Sequence, residues 1–346
     1  MSEVQGRGFQ GRGFQVVLTD QVFPDTAIER EIIEGHGGRL DVATGDRTAV
    51  LDAASGADAV LTTYFALGRA DIERLDRCRV IARYGIGVDN VDVAAAAERG
   101  IVVTNVPDYC VEEVAAHALA LALTLLRRLP AGHAEVLSGG WGVGNLRPMA
   151  RPSELTLGLV GFGRIARRVA TGARALGMRV LAHDPYVDAA PTPGSTPGAV
   201  PGSTPGAAPG DGGVALVGLD DLLASSDVVS LHCPLTEATR GLIDAGRLAV
   251  MRPGAILVNT SRGPLVRLDD VVAALRSGVL GGAGLDVFES EPPDASRLGD
   301  VPNLLVTPHV AYYSEASIRE SQRKAATQVV KAVAGEPVDY AVRPGP

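Results

Sequence analysis

Residues 155–166 read Leu-Thr-Leu-Gly-Leu-Val-Gly-Phe-Gly-Arg-Ile-Ala, an apolar run that breaks into a pair of glycines. The run predicts a buried strand ending at Gly161. Beyond it Ile165, Val169, Ala173 and Leu176 recur at helical spacing. Strand, glycine turn and helix in that order give the G-x-G-x-x-G/A pattern in its required context. Gly161 makes the tight turn, Gly163 lets the backbone approach a pyrophosphate, and the small Ala166 lets helix and strand pack closely. The next predicted strand, 178–183, ends at Asp184, 21 residues after Gly163. A carboxylate there accepts from both ribose hydroxyls of NAD and repels a 2′-phosphate, so NAD is the expected cofactor, NADH over NADPH. The plainer alternative for Asp184 is an Asx turn in Asp-Pro-Tyr.

On either side of this unit, short apolar or β-branched runs alternate with helical stretches. Runs at 16–18, 59–61, 80–82 and 102–104 precede a long amphipathic helix over 111–128. Further runs at 179–182, 228–231, 255–258, 284–287 and 304–306 follow the fingerprint, and a last helix over 315–333 has no strand after it. Near-continuous apolar strands separated by helices imply parallel sheets covered on both faces. The expected fold class is α/β, with two doubly wound parallel-sheet domains. Two stretches stand apart: the direct repeat QGRGFQGRGFQ at 5–15, and 191–213, where 6 of 23 residues are Pro and 7 are Gly. Both read as unstructured, the second as an insertion within one domain.

The 346-residue chain has 32 Lys+Arg against 40 Asp+Glu, a formal charge of −8 that argues against nucleic acid or anionic membrane as a partner. Only Lys324 and Lys331 are lysines, so the other 30 cations are arginines, a bias typical of GC-rich bacterial genomes. Cys78, Cys110 and Cys233 form no CxxC pair, which suits a reducing compartment and makes cysteine-bound zinc unexpected; no metal is expected. The N-terminus lacks a signal-peptide layout, and no run is long enough to span a bilayer, so a cytoplasmic location is expected.

Three later segments place ionisable residues at strand ends, where open parallel sheets bind ligands. They are Asn259-Thr-Ser-Arg-Gly263, Asp286-Val-Phe-Glu-Ser-Glu-Pro292 and Thr307-Pro-His-Val-Ala-Tyr-Tyr313. Arg262, Glu291 and His309 make a chemically coherent set. Reducing a 2-oxo acid needs a proton donor, which histidine supplies as a residue type that titrates near neutrality. A carboxylate on its other ring nitrogen fixes the tautomer, and an arginine fork matches a carboxylate with its adjacent carbonyl.

These segments, with 80–92 (Val-Ile-Ala-Arg-Tyr-Gly-Ile-Gly-Val-Asp-Asn-Val-Asp) and 103–107 (Val-Thr-Asn-Val-Pro), closely resemble the D-isomer-specific 2-hydroxyacid dehydrogenases. The likeness spans nearly the whole chain outside the two low-complexity pieces. Residues 84–113 and 311–315 are most similar to the C-terminal-binding-protein branch, alongside the phosphoglycerate-dehydrogenase-like one. The resemblance implies hydride transfer between nicotinamide C4 and substrate C2, with Arg262 polarising the 2-oxo acid, Glu291 holding His309, and His309 as general acid and base. It implies that the backbone of Tyr84, Gly85, Ile86 and Gly87 holds the substrate carboxylate with help from Arg83, and that Tyr312 lines the pocket. Around the cofactor it places Gly161, Gly163, Arg164 and Ile165 at the pyrophosphate and Asp184 at the ribose. Cys233 and Pro234 flank the adenine, while Thr260, Ser261, Arg262, Asp286 and His309 lie toward the nicotinamide.

The same resemblance implies a flavodoxin-like substrate-binding domain of residues 1–106 and 308–346, interrupted by an NAD-binding Rossmann domain of residues 107–307. It also implies a homodimer through the 111–128 helix region, and Leu119, Leu123 and Leu126 give that helix an apolar face. The chain ends soon after its last helix, so no C-terminal amino-acid-binding domain is expected. Arg69, Arg83 and Arg147 are the cations available should the substrate carry a phosphate or phosphonate. The alternative reading is an NAD(H)-sensing interaction protein resembling the C-terminal-binding-protein corepressors, with weak or vestigial dehydrogenase activity.

Overall fold

The computed structural model describes residues 13–187 and 213–344 of the chain. Residues 5–12 of the N-terminal repeat, and all of 191–213 except Gly213, lie outside the described residues. The end of the repeat corrects the expectation that all of 5–15 is without structure, because strand β1 spans Phe14–Leu18. Alternation sets Phe14 on the same face as Val16 and Leu18, and its ring is 6% exposed in the core. The later strands are β2 (Gly38–Val42), β3 (Ala59–Thr62), β4 (Val80–Arg83), β5 (Val102–Thr104), β6 (Thr156–Val160), β7 (Arg179–His183), β8 (Val214–Leu216), β9 (Val228–Leu231), β10 (Ala255–Asn259), β11 (Leu280–Leu285), β12 (Leu304–Val306) and β13 (Ala341–Val342).

The chain forms two compact units, Met1–Cys110 with Ser314–Pro346, and Val111–Tyr313. The breaks fall at 110/111 and 313/314, whereas the family resemblance implies 106/107 and 307/308. Residues 308–313, His309 among them, go with the second unit because the backbone N–H groups of Thr307 and His309 bond to Leu285 O and Asp286 O of that unit.

In the first unit the strand order is β2-β1-β3-β4-β5-β13, parallel throughout except for β13, which runs antiparallel to β5. The final helix, Glu315–Ala334, is therefore followed by a strand, contrary to the sequence reading. Both sheet faces are covered. Val16, Leu18, Leu61 and Ala82 pack with Ala325, Val329 and Val333 on one side, and Val17, Val60 and Ile81 pack with Leu51 and Ile72 on the other. Buried in the first of these layers is a polar knot. Tyr84 Oη donates to Glu29 Oε1 at 2.8 Å, and Gln322 Nε2 donates to both Glu29 oxygens at 3.0–3.1 Å. Burial raises the Glu29 carboxyl above its ordinary range, although the bonds from its own backbone, Tyr84 and Gln322 oppose this.

The second unit has seven parallel strands in the order β8-β7-β6-β9-β10-β11-β12. This is the doubly wound arrangement in which the order reverses beside β6. The helix Val111–Leu126 lays Ala115, Ala118, Leu121 and Ala122 onto this sheet, with Leu119, Leu125 and Leu126 at the margin of the same cluster. It stops two residues short of the expected 128. Arg128 takes a left-handed φ of 49°, and a second helix, Leu129–Leu137, starts with no buried residue. Among the described residues no single helix is long and apolar enough to cross a membrane.

The Glu29 knot gives a stability prediction. Tyr84→Phe removes one of the donors that satisfy a buried carboxyl and should destabilise the protein by about 1–3 kcal/mol. A lower denaturant midpoint checks this, and an unchanged midpoint would show that the hydroxyl contributes nothing.

Candidate active site

Gly161 follows β6 at φ +89°, and a β-carbon there would come within 2.7 Å of the His232 carbonyl and Cys233 N. Only glycine fits this turn. It is tied down by Gly161 N donating to His183 O at 2.7 Å and His232 N donating to Val160 O at 2.7 Å. The helix Arg164–Ala175 then begins at Gly163 with no side-chain cap, so its first N–H groups face outward. A side chain at Gly163 would project into open space, and Arg164 is exposed beside it while Ile165 is half-buried. Asp184, just past β7, uses one oxygen in each direction: Oδ2 accepts from Phe162 N at 2.8 Å and Oδ1 from Tyr186 N at 2.9 Å. The Asx turn is present, and the same carboxylate also clamps the glycine loop.

At the end of β10, Asn259 is fully buried and builds the next turn. Its Nδ2 donates to Arg262 O at 2.8 Å and its Oδ1 accepts from Ser261 N at 3.1 Å. Ser261 Oγ donates to Leu231 O at 2.7 Å, which joins this turn to β9. Thr260 Oγ1 is buried and has no hydrogen-bond partner among the described residues. Gly263 lies so close to the 288–289 backbone that a β-carbon would sit 1.9 Å from Phe288 C. Glycine at 263 is what lets the Arg262 turn and the Glu291 loop touch.

That loop folds back on itself, with Phe288 N donating to Glu291 Oε1 at 2.9 Å. The other oxygen, Oε2, lies 2.7 Å from His309 Nδ1. The side chains are 34% and 24% exposed, so the pair sits at the surface edge. Burial pushes the Glu291 carboxyl up. The bonds from His309 and Phe288 N outweigh it, together with the charges of His309 and Arg262, so Glu291 stays ionised below the ordinary carboxylate range. Tyr312 stands edge-on to the imidazole, with ring centroids 6.0 Å apart.

Asp286, which the resemblance puts toward the nicotinamide, is fully buried, and its two oxygens accept from Val310 N, Ala311 N and Thr307 Oγ1 of the His309 turn. Cys233 is half-buried, and burial raises its thiol to about 11; Pro234 beside it is exposed. In the other unit, Arg83 is buried at the end of β4, followed by Gly85, Ile86 and Gly87. Tyr84 N donates to Thr62 O and Tyr84 O accepts from Ser321 Oγ, so the backbone of Tyr84 itself is already engaged. Arg69 is held by both oxygens of Glu98, at 2.6 and 2.9 Å.

Three observations test whether these residues fit a dinucleotide: the uncapped helix start behind Gly163, the open space there, and the orphaned hydroxyl of Thr260. All three agree with one. Sequence reasoning missed Asn259, Thr307, His117 and His232 as members of the site. Asn259, Thr307 and His232 stand at or just past strand ends, where the preceding apolar runs were the only available signal, whereas His117 lies within the Val111–Leu126 helix. His232 illustrates the cost of that burial. Its ring meets Ser230 Oγ at 2.9 Å, and desolvation pushes its pKa down to about 4. Below pH 6.5 the unfolded chain takes up a proton that the folded chain refuses, so stability falls from pH 6.5 down to about 4. His232→Gln should remove that part of the pH dependence. Melting temperatures of both proteins across this range check it, and parallel curves would refute it.

Residues 119–311 match the family model described as D-isomer specific 2-hydroxyacid dehydrogenase, NAD binding domain. The chain is 36% identical over 341 residues to a D-3-phosphoglycerate dehydrogenase of Mycobacterium tuberculosis, covering 95% of this chain. It spans only 59% of that relative's length. Among solved structures, D-lactate dehydrogenase from Aquifex aeolicus, complexed with NAD and lactic acid, superposes with a TM-score of 0.81 at 28% identity, covering 96% of this chain and all of that one. A glyoxylate reductase from Paecilomyes thermophila also gives a TM-score of 0.81 at 28% identity, covering 95% of this chain and 98% of that one. Fold, fingerprint and matched length agree: the chain belongs to the D-isomer-specific 2-hydroxyacid dehydrogenase family, on its phosphoglycerate-dehydrogenase-like side.

Proposed function

We propose that the protein is an NAD-dependent 2-hydroxyacid dehydrogenase acting as a 2-oxo acid reductase, with His309 as its proton donor. The observation that carries this is the 2.7 Å contact between His309 Nδ1 and an ionised Glu291. With Nδ1–H held by the carboxylate, Nε2 is the ring atom left to give a proton to the carbonyl oxygen of a 2-oxo acid and to retake it in the reverse direction. Glu291 fixes the tautomer and stabilises the imidazolium. Arg262, held by the Asn259 turn, supplies a guanidinium against the charge developing on that oxygen. Bound NAD(H) supplies or accepts the hydride. Gly161, Gly163, Arg164 and Ile165 would meet its pyrophosphate, and Asp184 its ribose, with one acceptor site still open on each oxygen. Thr260 and Ser261 lie toward the nicotinamide, and Cys233 and Pro234 toward the adenine. We assign Arg83 and the amides of Gly85, Ile86 and Gly87 to the substrate carboxylate on the family likeness, and Tyr312 to the pocket wall beside His309. Three cysteines that form no disulfide support a cytoplasmic setting.

NADH oxidation followed with glyoxylate, pyruvate, hydroxypyruvate and phosphohydroxypyruvate tests the proposal. At least one acid should turn over, NADH should be preferred to NADPH, and His309→Ala should lower kcat by about 10²- to 10⁴-fold. Silence across the panel by a folded, NADH-binding protein would sink it.

We also propose a homodimer, with its surface moved from the expected 111–128 region to 129–143. The 111–126 helix is part of the core, whereas Leu129, Val136, Leu137, Trp141 and Val143 are each more than half exposed on one short stretch. A cluster of large apolar side chains on a soluble chain marks an association surface. Light scattering should give twice 35.7 kDa for the protein and a single chain mass for Leu137→Asp/Trp141→Asp. A monomeric parent protein would refute the dimer.

A further inference from the structure

Behind the His309 turn runs a hydrogen-bonded chain that the proposed chemistry does not use. His117, on the Val111–Leu126 helix, has its Nε2 3.0 Å from Thr307 Oγ1. Thr307 Oγ1 in turn lies 2.5 Å from Asp286 Oδ1 and donates to it, because an ionised carboxylate can only accept. The hydroxyl oxygen therefore accepts from His117 Nε2–H. Two residues 190 positions apart, His117 and Thr307, thus form one line ending on a carboxylate with no solvent exposure. A charge buried this completely persists only if donors surround it. Here they are Thr307 Oγ1 and the amides of Val310 and Ala311, both at 2.9 Å. Both amides directly follow the residue that matters. His309 takes φ +53°, a left-handed conformation uncommon outside glycine, and its own N–H donates to Asp286 O at 2.8 Å and Thr307 O at 3.0 Å.

We propose that His117 and Thr307 are positioning residues for proton transfer: they orient the Asp286 carboxylate, which pins the 307–311 turn in the left-handed form that aims His309 at Glu291. Neither side chain touches the reacting atoms in this scheme. Each acts through Asp286, and the inference rests on His309 being the proton donor. A purely structural role, in which the chain only seats the helix on the sheet, predicts a different outcome: helix packing would change without a selective effect on the turn or on turnover.

Four single variants of the full chain separate the two. Thr307→Val keeps the shape of the side chain and removes the hydroxyl, while Thr307→Ser keeps the hydroxyl. His117→Leu removes the donor, while His117→Gln retains an N–H at the position of Nε2. Each is read by steady-state kinetics on the best 2-oxo acid and by amide hydrogen exchange over 307–313 without NADH. Thr307→Val and His117→Leu should lower kcat by roughly 10- to 100-fold with KM changed less than about threefold, the pattern of a misplaced proton donor. Both should also speed exchange at Val310 and Ala311, and Thr307→Ser and His117→Gln should restore rate and protection together. Exchange and kcat that stay at parental values in Thr307→Val and His117→Leu would overturn the proposal, as would losses that the Ser and Gln variants fail to restore. If the parent protein turns over no 2-oxo acid, the dehydrogenase reading fails on its own. The exchange arm then still decides whether this chain of bonds holds the turn.

Discussion

Parallel strands deliver every strand-to-helix turn to the same edge of their sheet, and this constraint organises the whole second unit. Six neighbouring strands end there. β6 ends at the Gly161 turn, β7 at Asp184, β9 at His232 and Cys233, β10 at Asn259 to Arg262, β11 at Asp286, and β12 at Thr307 to His309. Residues as distant in sequence as Gly161 and His309 therefore belong to one rim without any long loop to carry them there. The rim is then stitched sideways. Ser261 bonds across to Leu231, Asp286 N to Asn259 O, and Thr307 N to Leu285 O. Each strand end is fixed by its neighbour, so the placement of any one turn depends on the register of the sheet beneath it.

Two carboxylates on this rim show how environment divides labour. Asp286 has no solvent exposure and gives its oxygens to backbone amides and a hydroxyl, which makes it a scaffold. Glu291 is about a third exposed and gives one oxygen to Phe288 N, leaving the other for an imidazole. Bonds and nearby positive charge keep Glu291 ionised against its own desolvation.

The parts of this arrangement that were legible in the sequence share one property: they are local. The Gly161 turn, the apolar strands and the segments bearing Arg262, Glu291 and His309 each show their pattern within about a dozen residues. What stayed hidden depends on long-range pairing. β2 reads Gly-Arg-Leu-Asp-Val, too polar to stand out, and forms because β1 offers it a partner. β13 has only two residues and exists through its ladder with β5. β11 reads Leu-Gly-Gly-Ala-Gly-Leu, and its glycines shift the apparent strand toward 284–287. Phe14 looked like part of a repeat because nothing local says that Ile33 and Leu40 will close over it. His117 is the extreme case. On a helical wheel it is one polar residue on an apolar helix, and its meaning comes from Thr307, 190 residues later.

The use of aspartate at 286 follows from counting acceptors. The turn presents three donors to this side chain, two on Oδ1 and one on Oδ2. An asparagine has a single acceptor oxygen, so in either orientation its NH₂ group would face at least one N–H or O–H donor across a buried gap. A glutamate would reach one methylene too far for a position where the main-chain N and O are themselves bonded, to Asn259 O and His309 N. Only an ionised aspartate both accepts every donor and strengthens each bond by its charge. That strength is needed because the left-handed φ at His309 costs on the order of 1–3 kcal/mol, and without the carboxylate the turn would relax toward ordinary backbone angles. Relaxation would rotate the Cα–Cβ bond of His309 and carry its ring away from Glu291. The orientation of the proposed proton donor is thus set by a buried charge it does not touch with its own side chain, and that charge is tolerated because the turn it holds is also the turn that solvates it.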